Sequence, residues 1–372
     1  MIRNFISGLS IILLLTGCMN SNEAHQDFDI NLRKFADGIH HYELFAEDLD
    51  YSRLDTNDYK GIADNLVQFQ NEDGGWPKNI DWLADVDMDS LKKTLSDFDA
   101  QSTFDNDNIH PQIDFLAKMY AKTGKDNYRK SAEKGLQYIL DTQHESGGWR
   151  GWDKDAITFN DNIMVGIMDV LLDIKYEQPY YDWLEPMTRD ELMNAFERAL
   201  DVTLRCQIET NGQRKAWAQQ HDHETLEPVQ GRSYEHPGVV TRESVPIVEF
   251  LMRIENPDER IIEAVESAVA WFKESGLENI RVDTIQISPD TYPGQNLDID
   301  REVVVDFSAK TIWARYYEIE DNTPFFSTRE GQKVYSMAEV NPERRGGYEW
   351  YGYWPEELIK QDYPVWKQWL NM

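Results

Sequence analysis

Apolar residues return along this chain at i, i+3, i+4 and i+7, the spacing of a helix that buries one face. One such stripe is Ile62, Ala63, Leu66 and Val67; a second is Ile109, Ile113, Leu116, Ala117 and Tyr120. Others follow at Tyr128–Leu140, Ile163–Leu171, Leu192–Leu200 and Ile261–Phe272, and Val245, Val248, Leu251 and Met252 supply one more. Between residues 280 and 307 the period changes. Val282, Ile285 and Ile287, then Val303 and Val305, predict two short strands around a turn at Pro289–Gly294. No Ser/Gly-rich or Pro-rich linker divides the chain after residue 26, so residues 27–372 read as one domain.

The helices come in repeated pairs. Gln70-Asn71-Glu72-Asp73-Gly74-Gly75-Trp76 returns as Gln143-His144-Glu145-Ser146-Gly147-Gly148-Trp149, and Gln207 to Trp217 reads as a decayed third copy. Each copy ends a helix in a glycine turn, where a left-handed backbone is free of steric strain. Downstream lie Thr103-Phe104-Asp105-Asn106 and Thr158-Phe159-Asn160-Asp161, each opening a helix. Helix pairs of this period cannot bury their faces alone and must stack. The expected product is an all-α fold, an α/α toroid with short β segments in its C-terminal third; a non-closing helical array is the alternative.

The first seventeen residues read as an address. Arg3 precedes the apolar run Phe5–Leu15, too short to span a bilayer and matched to a secretory signal. Leu15-Thr16-Gly17-Cys18 resembles a bacterial lipobox, leaving Cys18 as the lipidated first residue and residues 18–26 as a polar tether. The expected location is beyond the inner membrane, lipid-anchored to the outer membrane on its periplasmic or outer face. Cys206 is then a lone thiol, expected in the core, and no intrachain disulfide is expected.

Composition removes several classes. Lys and Arg number 37 against 68 Asp and Glu, a formal charge of −31, which becomes −32 without the signal. Nucleic acid and anionic lipid surfaces both call for a basic face, so neither is an expected partner; the lipid on Cys18 is the one expected membrane contact. The length of 372 residues and the 41% hydrophobic content give a large core, and a monomer is expected.

Candidate chemistry lies in three places. Asp105, Asn106, Asp107 and Asn108 hold more oxygen ligands than a single helix cap uses, and Asn160, Asp161 and Asn162 are their repeat mates. Oxygen ligands converging from two loops suit Ca²⁺. The second place runs from Trp217 through Gln220, His221, Asp222 and His223 to Arg232 and Glu235. His221 and His223 stand two apart, which fits no common zinc spacing, so polar packing is the favoured account of them. Arg232, alone on a turn, is either solvated, ion-paired or functional. The third is Phe325–Gly331 with Glu343–Gly352, where arginines sit among aromatics and glycines, the residue types that grip sugar carboxylates and faces. A structural Arg–Glu network explains that composition equally well.

On these residues the chain resembles the family-10 polysaccharide lyases, the pectate lyases also called pectic acid lyases. The resemblance is carried by Gly74–Asn79, Thr103–Asn106, Thr158–Asp161, Gln220–Glu235, Phe325–Arg329 and Glu343–Gly352, in matching order over about residues 60–360. It implies an (α/α)₃ toroid that cleaves polygalacturonate by Ca²⁺-assisted β-elimination. It implies calcium ligation by Asp105, Asn106 and Asp161, Arg232 as catalytic base, and substrate contacts from Lys78, Asp222, Arg315, Arg329 and Arg345. His110-Pro111, His221 and segment 280–306 depart from the family pattern and bear on substrate preference more than on reaction type.

Elimination needs help at one point. The C5 proton of a uronate is a poor acid because its loss adds charge to an existing carboxylate, so cations must meet that charge. In so acidic a chain the cleft must be locally positive, supplied by Ca²⁺, Lys78, Arg232, Arg315 and Arg329. A neutral arginine near pH 7 costs about 7–9 kcal/mol, from an unperturbed pKa of about 12.5–13.8. Two rival classes share the residues: a glycoside hydrolase using Asp105 and Asp161 as its carboxylate pair, and a non-catalytic glycan-binding lipoprotein.

Overall fold

The computed structural model describes residues 29–45, 51–288, 291–292 and 297–370. The signal, Cys18 and the tether therefore lie outside the described residues, as does most of the 289–294 turn. Every helical stripe read from the sequence is a helix. In chain order these are α1 (Ala36–Phe45), α2 (Tyr59–Phe69), the short α3 (Met88–Lys92), α4 (His110–Thr123) and α5 (Asp126–Thr142). They continue as α6 (Ile163–Lys175), α7 (Pro186–Arg205), α8 (Ser244–Met252) and α9 (Glu259–Ser275). Near the C-terminus come α10 (Pro342–Gly347), α11 (Pro355–Glu357) and α12 (Tyr363–Leu370).

The helices form two ranks. α5, α7 and α9 each bury one stripe and expose the rest, as their amphipathic spacing requires. α4, α6 and α8 are buried over most of their length; α6 and α8 are correspondingly apolar at most positions, whereas α4 also buries the polar His110, Gln112 and Asp114. Cys206 lies buried and free at the end of α7.

The repeat is a hydrogen-bonding device. In the first copy Gln70 Nε2 donates to the carbonyls of Gly74 and of Ser131 on α5, and in the second Gln143 Nε2 donates to those of Gly147 and of Ala195 on α7. In the third, Gln207 Nε2 donates to Lys215 and to Ala264 on α9. Each glutamine thus closes its own turn and ties it to the next outer helix. The indoles follow suit: Trp76, Trp149 and Trp217 are fully buried, and their Nε1–H groups donate to the carbonyls of Leu66, Ile139 and Thr203. The third copy is decayed only in sequence, because a hairpin of β2 (Glu209–Thr210) and β3 (Gln213–Arg214) is inserted in its turn.

Gly147 sits at φ 110°, and a Cβ there would lie 2.3 Å from the carbonyl oxygen of Arg198. Gly147→Ala is expected to cost about 2–4 kcal/mol in chemical denaturation, from left-handed strain plus a backbone clash. Gly212→Ala, at φ 75° with open space around it, is expected to lose about 1 kcal/mol.

The expectation of an all-α toroid is corrected. Helices dominate, yet the described residues form five small antiparallel sheets, whose strands begin at residue 157 rather than in the C-terminal third. β1 (Ile157–Thr158) pairs with β4 (Gln220–His221). β5 (Val239–Val240) enters a four-stranded sheet completed by β9 (Tyr316–Tyr317), β10 (Pro324–Ser327) and β11 (Lys333–Val334). β8 (Trp313–Ala314) pairs with β12 (Tyr351–Gly352). The expected hairpin is present as β6 (Ile280–Gln286) and β7 (Ile299–Val305). Strands of two residues show no period, so only the seven-residue pair was visible in the pattern.

Candidate active site

The two helix-start loops hang from the tryptophans of their own repeats. The amide of Thr103 donates to the Trp76 carbonyl at 3.2 Å, and that of Thr158 to the Trp149 carbonyl at 3.0 Å. Both loops then turn left-handed at matching places: Asn106 and Asp107 have φ 58° and 49°, and Asp161 and Asn162 have φ 50° and 54°. Ile109, β-branched and at φ 72°, adds strain to the first loop. Asn and Asp tolerate this region far better than other side chains, which gives a second physical reason for their presence here besides their oxygens.

The loops bring their carboxylates together. Asp161 is half-buried, and desolvation followed by the negative charge of Asp105 pushes its carboxyl up to about 8, while Arg232 and Arg315 pull the other way. Its one side-chain hydrogen bond among the described residues comes from Asn160 Nδ2, 2.7 Å from Oδ2; no side-chain cation donates to it. Asp105 pairs with Lys78, whose ammonium also sits 4.6 Å from the Trp152 ring centroid, and Asn106 Nδ2 donates to Asn79 Oδ1 at 2.7 Å. Asp107 is likewise pushed up, to about 6, chiefly by burial.

A cleft of about 330 Å³ opens beside Asp161, lined by Asp37, Asp107, Asn162, Arg242 and Glu243. The last two have a repeat origin that their side chains conceal. The amide of Val240 donates to the Trp217 carbonyl at 2.9 Å, the bond made by Thr103 and Thr158 in the earlier copies. In that register Arg242 and Glu243 stand where the first copy has Asp105 and Asn106. The third loop has exchanged metal-type ligands for an ion pair: Glu243 holds Arg315, and Gln219 Nε2 donates to the same carboxylate oxygen at 2.9 Å.

Arg232 lies between β4 and β5 on a turn closed by Glu235. That glutamate, 2% exposed, accepts from the Arg232 backbone amide at 2.9 Å and from its Nε at 2.9 Å and one terminal nitrogen at 2.5 Å. The guanidinium stacks 5.3 Å from the Tyr234 ring. Burial alone would favour the neutral form, but Glu235 outweighs it and holds Arg232 above the ordinary arginine range.

The other arginines divide. Arg315 is 2% exposed, bound to Glu243 and Asn160 and stacked 4.4 Å from the Tyr348 ring, so it supports the second loop from beneath instead of facing a cleft. Arg345 clasps Asp300 with two bonds of 2.7 and 2.6 Å and donates to the Val340 carbonyl, which makes it a brace between α10 and β7. Asp222 accepts the amides of Glu224 and Thr225 and serves as the cap of its own turn. For these three, the expectation of substrate contact meets a side chain already engaged by the fold. Arg329, half-exposed, pairs with Glu343 at 3.0 Å, and its carbonyl accepts from Ser233 Oγ beside Arg232. Arg344, the neighbour of Arg345, was not singled out from the sequence. Its guanidinium stacks 4.8 Å from the same Tyr234 ring as Arg232, and its buried Nε makes no hydrogen bond among the described residues.

The histidines that depart from the family pattern are packing residues. His221 is fully buried, its Nε2 accepting from the Ala218 amide and its Nδ1 donating to the Leu226 carbonyl, and burial pulls it down to about 4. His110 packs against Gly166, where a Cβ would meet the ring at 2.3 Å, and is pulled down to about 3.

The sequence model of the pectic acid lyase family matches residues 70–359. The chain belongs to the pectic acid lyase family. Among solved structures it is similar to the family 10 polysaccharide lyase from Cellvibrio cellulosa, with a TM-score of 0.67 and 26% identity, covering 83% of this chain and 92% of that one. An aspartate-to-alanine mutant of that lyase in complex with trigalacturonic acid matches equally, covering 93% of that chain. A search of curated proteins finds no match. The chain is therefore a polysaccharide lyase, and the hydrolase and non-catalytic readings fall away.

Proposed function

We propose that this pectic acid lyase cleaves polygalacturonate by Ca²⁺-assisted β-elimination and releases 4,5-unsaturated oligogalacturonides. The observation that carries the reading is the half-buried Asp161 carboxylate, pressed by Asp105 and hydrogen-bonded by no side-chain cation among the described residues. Two carboxylates and an amide offer only oxygen, the donor set of a hard dication, so Asp105, Asn106 and Asp161 fit calcium. A bound Ca²⁺ would draw charge from the uronate carboxylate as the C5 proton leaves.

The protein's own groups supply the rest. Removal of the C5 proton places its electron pair in a new C4=C5 bond, and the glycosidic oxygen departs from C4. Arg232 is the candidate acceptor of that proton, and Glu235 fixes the plane of its guanidinium. The same Glu235 opposes deprotonation, so a second role for Arg232 has an observation behind it: a charged arm that meets the developing carboxylate charge. Lys78 beside Asp105 and Arg242 in the cleft beside Asp161 are cations near the two loops, and Arg329 and Arg344 lie beside Arg232 through Ser233 and Tyr234. The enzyme works as a monomer, exported and anchored through the lipid on Cys18; no helix of the described residues is long and apolar enough to cross a membrane.

The test is absorbance. Purified protein mixed with polygalacturonate is expected to produce a near-ultraviolet signal from the unsaturated uronide in Ca²⁺, and none in EGTA. Chain cleavage without that signal rules out elimination, and turnover untouched by the chelator rules out calcium.

A further inference from the structure

One cluster of ligand-type side chains lies outside this machinery. His144, Asp155 and His223 each bring a ligand atom to within 4.8 Å of the other two. They come from three segments: the glycine turn of the second repeat, the loop before β1, and the turn after β4. The His144 and His223 rings stack at 4.3 Å with their planes 4° apart. His144 Nε2 is buried and makes no hydrogen bond among the described residues; the nearest carboxylate oxygen, Asp155 Oδ1, is 3.5 Å away.

The repeat shows what is unusual. In the first copy this position is Asn71, whose Nδ2 donates to the Ala100 carbonyl at 2.8 Å and to Ser102 Oγ at 2.9 Å. The second copy replaces that satisfied amide with an imidazole that stacks on the ring of His223 and whose outer nitrogen has only the Asp155 carboxylate beside it, at 3.5 Å. His221 is excluded from the set because both of its nitrogens are engaged.

We propose that His144, His223 and Asp155 form a transition-metal site for a borderline dication such as Zn²⁺, with a fourth position open to water. Two imidazoles and one carboxylate are ligands of that class. Calcium takes oxygens, so this site and the calcium loops select different ions. Ligands at about 2.0–2.2 Å in a tetrahedron stand roughly 3.3–3.6 Å apart, so the cluster must contract by about 1 Å. Asp155 can move because its side chain is 58% exposed, and the half-buried His223 ring must turn out of the stack so that both imidazole lone pairs, now in parallel planes, reach one ion. Arg150, 3.8 Å from the same Asp155 oxygen, must swing away as the metal enters. The occupied site would clip loop 150–156 to the turn at residues 222–227. That loop carries Trp152, which receives the Lys78 ammonium on its ring and the edge of Phe98, so the clip steadies the wall beside Asp105.

The experiment is a Zn²⁺ titration of the full-length protein by calorimetry in saturating Ca²⁺, repeated with Co²⁺ and read by visible absorption. The native protein is expected to bind one equivalent more than a His144→Asn/His223→Ala variant, with intense tetrahedral Co²⁺ bands and a Zn²⁺-dependent rise in Tm that the variant lacks. Asp155→Asn is expected to lower affinity about tenfold or more. His144→Asn copies the first repeat, and metal-free melting curves establish that the variants fold. Equal stoichiometry in native and variant protein, or weak octahedral Co²⁺ bands alone in the native protein, overturns the site. Neither readout uses polygalacturonate, so failure here leaves the lyase reading intact, and failure of the absorbance assay leaves this one intact.

Discussion

Asp161→Asn is expected to lower kcat/KM on polygalacturonate by at least about 10³-fold while making the calcium-free protein more stable at neutral pH. The two effects have one cause. Burial and Asp105 raise the folded-state pKa of Asp161 above its value in the unfolded chain, so the folded protein holds this proton more tightly. The resulting stabilisation is fully present below about pH 4 and drains away as pH climbs towards about 8. Above that window the native fold carries an ionised, unpaired carboxylate that asparagine does not impose. Melting curves in EGTA at pH 5 and pH 8 check the claim: the variant's advantage over the native protein is expected to widen at the higher pH. An advantage of the same size at both pH values separates the stability effect from ionisation. Retained activity in Asp161→Asn removes the calcium assignment.

Arg232→Ala is expected to lower kcat about 10²–10⁴-fold, the range for loss of a general acid–base group. Because Glu235 holds the guanidinium above its ordinary range, the native kcat is expected to rise towards alkaline pH as the neutral form becomes less scarce. The variants separate the two roles open to this residue. If Arg232→Lys keeps full activity, charge is what matters and Arg232 meets the developing negative charge. If lysine restores little and the pH–rate profile rises through the alkaline range, the guanidine takes the proton. A kcat that falls above pH 7 counts against the base. Glu235→Gln adds a further check, since losing the carboxylate is expected to move the alkaline rise to lower pH.

How much of this was legible beforehand depended on whether a signal was local and periodic. The stripes at Ile113–Tyr120 and Ile163–Leu171 became α4 and α6 because a helix declares itself every 3.6 residues. The pair Asp105 and Asp161 was legible because the loop had been duplicated with its Asp/Asn character kept, although aspartate and asparagine exchange places between the two copies. Arg242 and Glu243 were not, since the third copy kept the Trp217 backbone bond and changed every side chain around it. Arg345 and Arg344 are adjacent in the chain, and composition has no means of ranking them; Asp300, 45 residues away, engages one and leaves the other on Tyr234.

By itself the chain of letters settled the helices, the repeat, the glycine turns and the family, because each rests on side chains within a few residues of one another or on their order. Only the tertiary structure decided that two-residue strands stitch the site together, that Arg315 and Arg345 are ion-paired with Glu243 and Asp300, and that a glutamate restrains Arg232. Burial and ion pairing are made by groups far apart in sequence, and an arginine reads the same in one dimension whether it meets solvent, a sugar or a buried carboxylate.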